Sequence, residues 1–114
     1  MALLMMMPMT AQASTKERSM GLCKITAYCP CEKCSEGYGR QTSTQHTAIS
    51  DHTVAVDPDV IGYGLILQIG KKAYIAEDCG GRVQGDHIDI FMDTHEEVED
   101  FGVKYKKVLI VGRK

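Results

Sequence analysis

A chain of 114 residues, with 15 acidic against 13 basic side chains and a formal charge of −2, has room for one domain and carries no excess of positive charge. No basic stripe is available to neutralise phosphates, which excludes nucleic acid as a partner. The apolar run over residues 2–9 is shorter than the ~20 residues a membrane-spanning helix needs, so no membrane span is expected after that segment is removed.

That run reads ALLMMMPM and is followed by Ala11-Gln12-Ala13, the small-x-small pattern of a signal-peptidase site. The basic residues that usually precede such a run are missing. Residues 1–13 are therefore expected to be a truncated signal peptide, 14–21 a linker, and 22–114 the folded domain.

Strand-like segments dominate from Gly21 onward. Residues 22–28 alternate, 53–56 are short and β-branched, and 65–69 and 73–76 flank a tight Gly70-Lys71-Lys72 connection that predicts a hairpin. Residues 87–92 and 105–111 bring the set to six strands, separated by Gly and Asp-Pro punctuation at spacings that suit a small barrel. One short helix is expected. Thr94-His95-Glu96-Glu97 has the form of a capping box, Val98 and Phe101 share a face, and Gly102 stops it. The long irregular segment over residues 30–52 is either functional or tied down by cross-links.

Five cysteines are many for this length. Cys29-Pro30-Cys31-Glu32-Lys33-Cys34 packs three of them together, with Cys23 just before and Cys79 far downstream. In an exported chain disulfides are the expected state, with one thiol left over. The crowding also suits a structural zinc site, for which Cys23 or Cys79 would supply the fourth ligand. Free thiols are the remaining alternative. No metal is assigned to the reaction itself, and no cofactor is expected.

Three aspartates stand out. Asp57 ends a strand before Pro58, and Asp78 lies where a strand breaks into Cys79-Gly80-Gly81. For both, ordinary turn chemistry is a sufficient explanation. Asp89 is less easily explained, because aspartate is depleted in strands and here stands between Ile88 and Ile90, beside Phe91. A partly apolar setting raises a carboxyl pKa and lets it hold a proton for general-acid chemistry. Period-two alternation puts His87, Asp89, Phe91 and Asp93 on one face and Ile88, Ile90 and Met92 on the other. There is no G-x-S-x-G elbow and no H-E-x-x-H helix. His46, His52, His87 and His95 form no i, i+4 pair and read as surface or turn histidines.

Taken together, Val54-Ala55-Val56-Asp57-Pro58, Tyr74-Ile75-Ala76-Glu77-Asp78-Cys79-Gly80-Gly81 and Gly85-Asp86-His87-Ile88-Asp89-Ile90-Phe91-Met92-Asp93 resemble the 3D domain, named for three aspartates. That family is similar to the catalytic barrel of membrane-bound lytic transglycosylase A and to stationary-phase wall proteins. Ile25-Thr26-Ala27-Tyr28 and Phe101-Gly102-Val103 extend the match over residues 22–111. The resemblance implies a six-stranded double-psi β-barrel that cleaves the MurNAc–GlcNAc β-1,4 bond of peptidoglycan without water. It implies a 1,6-anhydro-MurNAc end as product, and a secreted or wall-associated protein is expected. It implies Asp89 as the acid/base, Asp57 and Asp78 as the aspartates that tune or orient it, and Gly80, Gly81, Thr42 and Ser43 as substrate contacts. Two departures matter. Cys79 stands where many relatives have threonine, and it is a candidate for bridging to the Cys29–Cys34 cluster. The Thr-Ala-Ser pattern that often precedes the second strand has no clear counterpart in residues 41–50.

Two other readings stay open. One is a glycan-binding module with little turnover, and the other is a hydrolase in which Asp57 or Asp78 activates water. An aspartic-protease reading of Asp78-Cys79-Gly80 is weak, since it needs a symmetric dimer.

Overall fold

The computed structural model describes residues 17–114, so the expected signal peptide over residues 1–13 lies outside the described residues. Six strands appear in chain order: β1 (Arg18–Tyr28), β2 (Thr53–Ala55), β3 (Leu65–Ile69), β4 (Lys72–Asp78), β5 (His87–Phe91) and β6 (Lys104–Arg113). They close into a barrel in the order β1-β5-β2-β4-β3-β6. β1–β5 and β2–β4 are parallel, and the other four pairings are antiparallel. Among the described residues, closure leaves no free sheet edge.

The predicted strands are all present, with shifted ends. β1 begins at Arg18, so residues 18–21 are strand rather than linker. Its pairing with β6 tolerates this because the register slips between Ser19 and Gly21, where Gly21 takes φ +70°. The β3–β4 hairpin turns through Gly70-Lys71, one residue shorter than expected, since Ile69 pairs directly with Lys72.

Among the described residues two helices accompany the barrel, one more than expected. α1 (Glu32–Ser35) is a single turn inside the cysteine-rich loop, with Cys31 at its N-cap. α2 (His95–Phe101) carries the predicted capping box: the Thr94 hydroxyl accepts from Glu97 N–H, and the Glu97 carboxylate accepts from Thr94 N–H. No helix of the described residues is long and apolar enough to cross a membrane.

Strand alternation builds two apolar layers. Ile25, Val54, Leu67, Ala76, Ile88, Ile90 and Val108 fill the barrel interior, nearly all of them fully buried. Each large aliphatic here contributes about 1.5–3 kcal/mol of burial. On the outer side of the wall, Tyr28, Ala55 and Phe91 pack with Ala48 and Val83 from the covering loops. Three strands, β1, β2 and β5, are thereby covered on both faces, and the outer layer carries the candidate site.

A polar pair sits within this packing. Fully buried Thr53 donates to Glu77 Oε2 at 2.8 Å and accepts from Ile49 N–H at 3.0 Å. Thr53→Val keeps the shape but leaves a buried carboxylate oxygen and a backbone N–H without partners. It is expected to cost about 1–3 kcal/mol in urea unfolding, with the slope unchanged.

Candidate functional site

Register alone assembles the centre of the site. Thr26 of β1 pairs with Asp89 of β5, Asp89 faces Ala55 of β2, and Ala55 faces Asp78 of β4. The four side chains form one row across the outer wall. At strand spacings of ~4.8 Å, the backbones of the two aspartates stand about 10 Å apart, with only the Ala55 methyl between them. A slip between Val54 and Ala55 makes this possible: Val54 pairs with Ala76 but Ala55 pairs with Asp78, so Glu77 is the extra residue of a bulge. In a regular ladder Glu77 would stand opposite Ala55. The bulge instead aims Asp78 at the row and turns Glu77 toward Thr53.

Above the row opens a cleft of about 760 Å³. The long loop supplies one wall through Tyr38, Thr42 and Ser43, and the loop after β4 supplies another through Cys79, Gly80, Gly81 and Arg82. Tyr38 is 71% exposed, an aromatic face presented at the rim.

Asp89 is held at the floor. Its Oδ1 accepts from the Thr26 hydroxyl at 2.8 Å, and that hydroxyl is also 2.7 Å from His87 Nε2. Burial pushes the Asp89 carboxyl above the usual range; the Thr26 hydrogen bond and the nearby His87 oppose this, while negative Asp78 adds to it. The other ring nitrogen of His87 lies 3.0 Å from the Arg82 carbonyl, which can only accept, so Nδ1 carries a proton. The Thr26 hydroxyl, which donates to Asp89 Oδ1, thereby links the carboxyl to the His87 ring through a single oxygen. A proton can pass between aspartic acid and imidazole through one hydroxyl.

Asp78 acts only as an acceptor. It takes hydrogen bonds from the Tyr28 hydroxyl at 2.8 Å, from Ser43 N–H at 2.9 Å and from Cys79 N–H at 2.9 Å. Burial, with negative Asp78 beside it, raises the Tyr28 hydroxyl well above its ordinary range and keeps it a donor. Ser43 thus enters through its backbone, while its hydroxyl lies 3.2 Å from that of Tyr63. Thr42 lines the cleft but is buried, with its hydroxyl accepting from His46 N–H and 3.1 Å from that of Thr44.

Asp57 is placed elsewhere. It does not line the cleft; its oxygens accept from Asp59 N–H at 3.0 Å and from Gly85 N–H at 2.8 Å. The Gly85 bond is the larger cause that holds its carboxyl below the usual range. Two of the three predicted aspartates therefore share the cleft, and the third ties the turn after β2 to the loop ahead of β5.

The cysteines are placed as follows. All five are free thiols, and Cys79 is exposed and apart from the cluster. Cys23 is buried in the barrel interior. The residue that joins Cys29, Cys31 and Cys34 is His95, which spacing alone marks as an isolated surface histidine. Thr26, Tyr28 and His87 also escaped notice as site residues. Their signal was alternation in Ile25-Thr26-Ala27-Tyr28, which puts Thr26 and Tyr28 on one face.

The chain belongs to the 3D domain family, which matches residues 52–112. It is 33% identical over 60 residues to the cell wall-binding protein YocH of Bacillus subtilis (strain 168), covering 52% of this chain and 21% of YocH. It is 29% identical over 106 residues to the SPbeta prophage-derived uncharacterized protein YorM of the same organism, covering 83% of this chain and 44% of YorM. The chain spans less than half the length of either relative. Among solved structures it is similar to MltA from Escherichia coli, described as having a unique lytic transglycosylase fold, with a TM-score of 0.57 at 21% identity over 65% of this chain and 28% of MltA. MltA with bound chitohexaose gives a TM-score of 0.56 at 21% identity, over 64% and 27%. The likeness establishes the fold as the double-psi β-barrel that the motifs imply.

Proposed function

We propose that the chain is a lytic transglycosylase acting on peptidoglycan glycan strands at the cell wall, with Asp89 as its single acid/base. The observation that carries this reading is a carboxyl with raised pKa on the floor of an open cleft, hydrogen-bonded into the Thr26–His87 chain, in a 3D-family barrel. Protonated Asp89 donates to the glycosidic oxygen as the C1–O bond breaks, and the leaving sugar departs as an alcohol. The resulting Asp89 carboxylate removes the proton from the C6 hydroxyl of the same MurNAc, whose oxygen closes on C1. The proton returns to Asp89, no water is consumed, and a 1,6-anhydro end forms. One carboxyl serves both steps because the nucleophile is the sugar's own hydroxyl, unlike the two-carboxylate plan of ordinary glycosidases.

The negative charge of Asp78 supports the cationic character that develops at C1, and Tyr28, Ser43 and Cys79 fix where that charge stands. Asp57 is a positioning residue through Gly85. Gly80 and Gly81 let the strand approach the backbone, and Thr42 shapes the wall. Tyr38 offers a flat apolar face for a sugar ring.

A second reading, a wall-glycan binder with little turnover, draws on the name of YocH and on the open, aromatic-rimmed cleft. Mass spectrometry of soluble products from purified peptidoglycan separates the readings. Anhydro-MurNAc ends are expected. Reducing ends mean hydrolysis, and retained binding to sacculi without products means the binder.

The row makes a further prediction. Ala55→Leu places a branched side chain between the two aspartates, and glycan cleavage is expected to fall by roughly 10²-fold through misplacement of the bound sugar. Ala55→Gly, which opens the floor further, is expected to retain most of the activity in the same product assay.

A further inference from the structure

The Cys29–Cys34 loop holds a second constellation beside the aspartate row, and one of its members, Cys34, also lines the cleft. One ligand atom from each of Cys29, Cys31, Cys34 and His95 lies within 4.8 Å of all the others. His95 Nδ1 is 3.7 Å from Cys29 Sγ, 3.8 Å from Cys31 Sγ and 3.4 Å from Cys34 Sγ. A tetrahedral zinc ion with Zn–S of ~2.3 Å and Zn–N of ~2.05 Å spans S···N edges of about 3.6 Å, so the distances match those of a coordination shell. We propose that these four residues form a closed, structural Zn(II) site that fastens the cleft-wall loop to the start of α2.

The surroundings are built as such a site requires. Cys34 N–H points at Cys31 Sγ at 3.4 Å, a backbone donor that supports a thiolate. Ser35 donates to the Cys31 carbonyl at 2.9 Å and accepts from Gly39 N–H at 2.9 Å, fixing the single turn of α1 that aims Cys31 and Cys34. The ring nitrogen of His95 that faces away from the sulfurs lies 3.4 Å from Glu99 Oε2, one helical turn on. That carboxylate stands beside Nε2 while Nδ1 faces the thiols, the placement that partners of metal-bound histidines take. A disulfide between any two of the cysteines strands the third thiol beside the imidazole, whereas a metal uses all four groups. Three thiolates and one imidazole are a soft donor set that selects zinc over calcium or magnesium, and four protein ligands leave no open position for a reacting water.

The site adjoins the cleft through Cys34, and its consequence is local. The loop that follows Cys34 delivers Tyr38, Thr42 and Ser43 to the cleft, so the metal anchors that wall at its root. Binding releases the protons of whichever thiols are not already ionised, so affinity rises with pH.

The test is metal analysis and zinc titration of the full chain, purified under reducing conditions with zinc supplied, together with cobalt(II) spectroscopy. One tightly held zinc per chain and the intense visible bands of tetrahedral thiolate-bound cobalt are expected. His95→Ala and Cys34→Ser should each abolish tight binding. Glu99→Gln should weaken it about 10–100-fold without touching a ligand. Cys79→Ser should leave stoichiometry and affinity unchanged. Far-UV circular dichroism of each variant keeps loss of the metal separate from loss of the barrel. Hydrogen exchange of the wild-type chain, with zinc and after chelation, should show protection of residues 29–42 that depends on the metal. Zinc affinity weaker than micromolar in the reduced wild-type chain overturns the proposal. So does dependence of binding on Cys79, or a disulfide between two of the three cysteines in protein recovered from its native compartment.

Discussion

Asp89→Asn is expected to reduce formation of anhydro-MurNAc products by about 10²–10⁴-fold, the range that one general acid/base supplies, while binding to sacculi persists. Asparagine keeps the shape and can still accept from Thr26, but it has no proton of the required acidity to give. The same variant is expected to be more stable than the parent at neutral pH. The folded-state pKa of Asp89 lies above its unfolded value, so the folded chain binds the proton more tightly. Stability of the parent therefore falls as pH rises through and beyond ~3.9, and the loss is complete above the folded pKa. Asn has no such dependence. Urea unfolding of the two proteins should diverge between acidic and neutral pH, with the variant the more stable at the upper end. Coincident curves at every pH mean that the carboxyl is not desolvated. Full turnover by the variant removes Asp89 from the mechanism.

Phe91→Ala is expected to give the largest loss of stability, about 3–5 kcal/mol, because a fully buried aromatic ring is deleted between two packed layers. Tyr28 meets the ring edge-on with centroids 5.2 Å apart, and the Arg40 guanidinium stands 5.4 Å from its centre. The ring thus braces the tyrosine that donates to Asp78. Loss of activity is expected in the fraction that remains folded, with Phe91→Leu intermediate in both respects. Denaturant unfolding followed by far-UV circular dichroism measures the first effect, and product release at subdenaturing temperature the second.

Much of the barrel was legible because its strands alternate. Ile88 and Ile90 point inward and Asp89 and Phe91 outward, as a period of two requires. The helix was legible from its capping box. Three features were not. The bulge that sets Asp78 rather than Glu77 opposite Ala55 depends on a register slip between parallel strands, which no single segment encodes. The separation of Asp57 from the other two aspartates follows from loop geometry, because its carboxylate caps its own turn and reaches Gly85. The meeting of His95 with a cysteine cluster more than sixty residues away arises from the docking of α2 on β1, a contact between elements distant in sequence. Local chemistry predicted the elements, and long-range pairing decided which side chains face one another.

The seam between β1 and β6 sets the order of events when this chain is made. The first strand of the barrel finds its second neighbour only when the last strand has emerged, since residues 18–25 pair with residues 104–110. A ribosome or translocation channel delivers the chain from one end, so β1 waits with an open edge through the synthesis of everything between. Pairings of such separation place folding in the slow range of milliseconds to seconds. During that interval the exposed edge is a template for a neighbouring copy. Among the described residues the completed barrel has no edge to offer, which makes this vulnerability a property of the chain before closure.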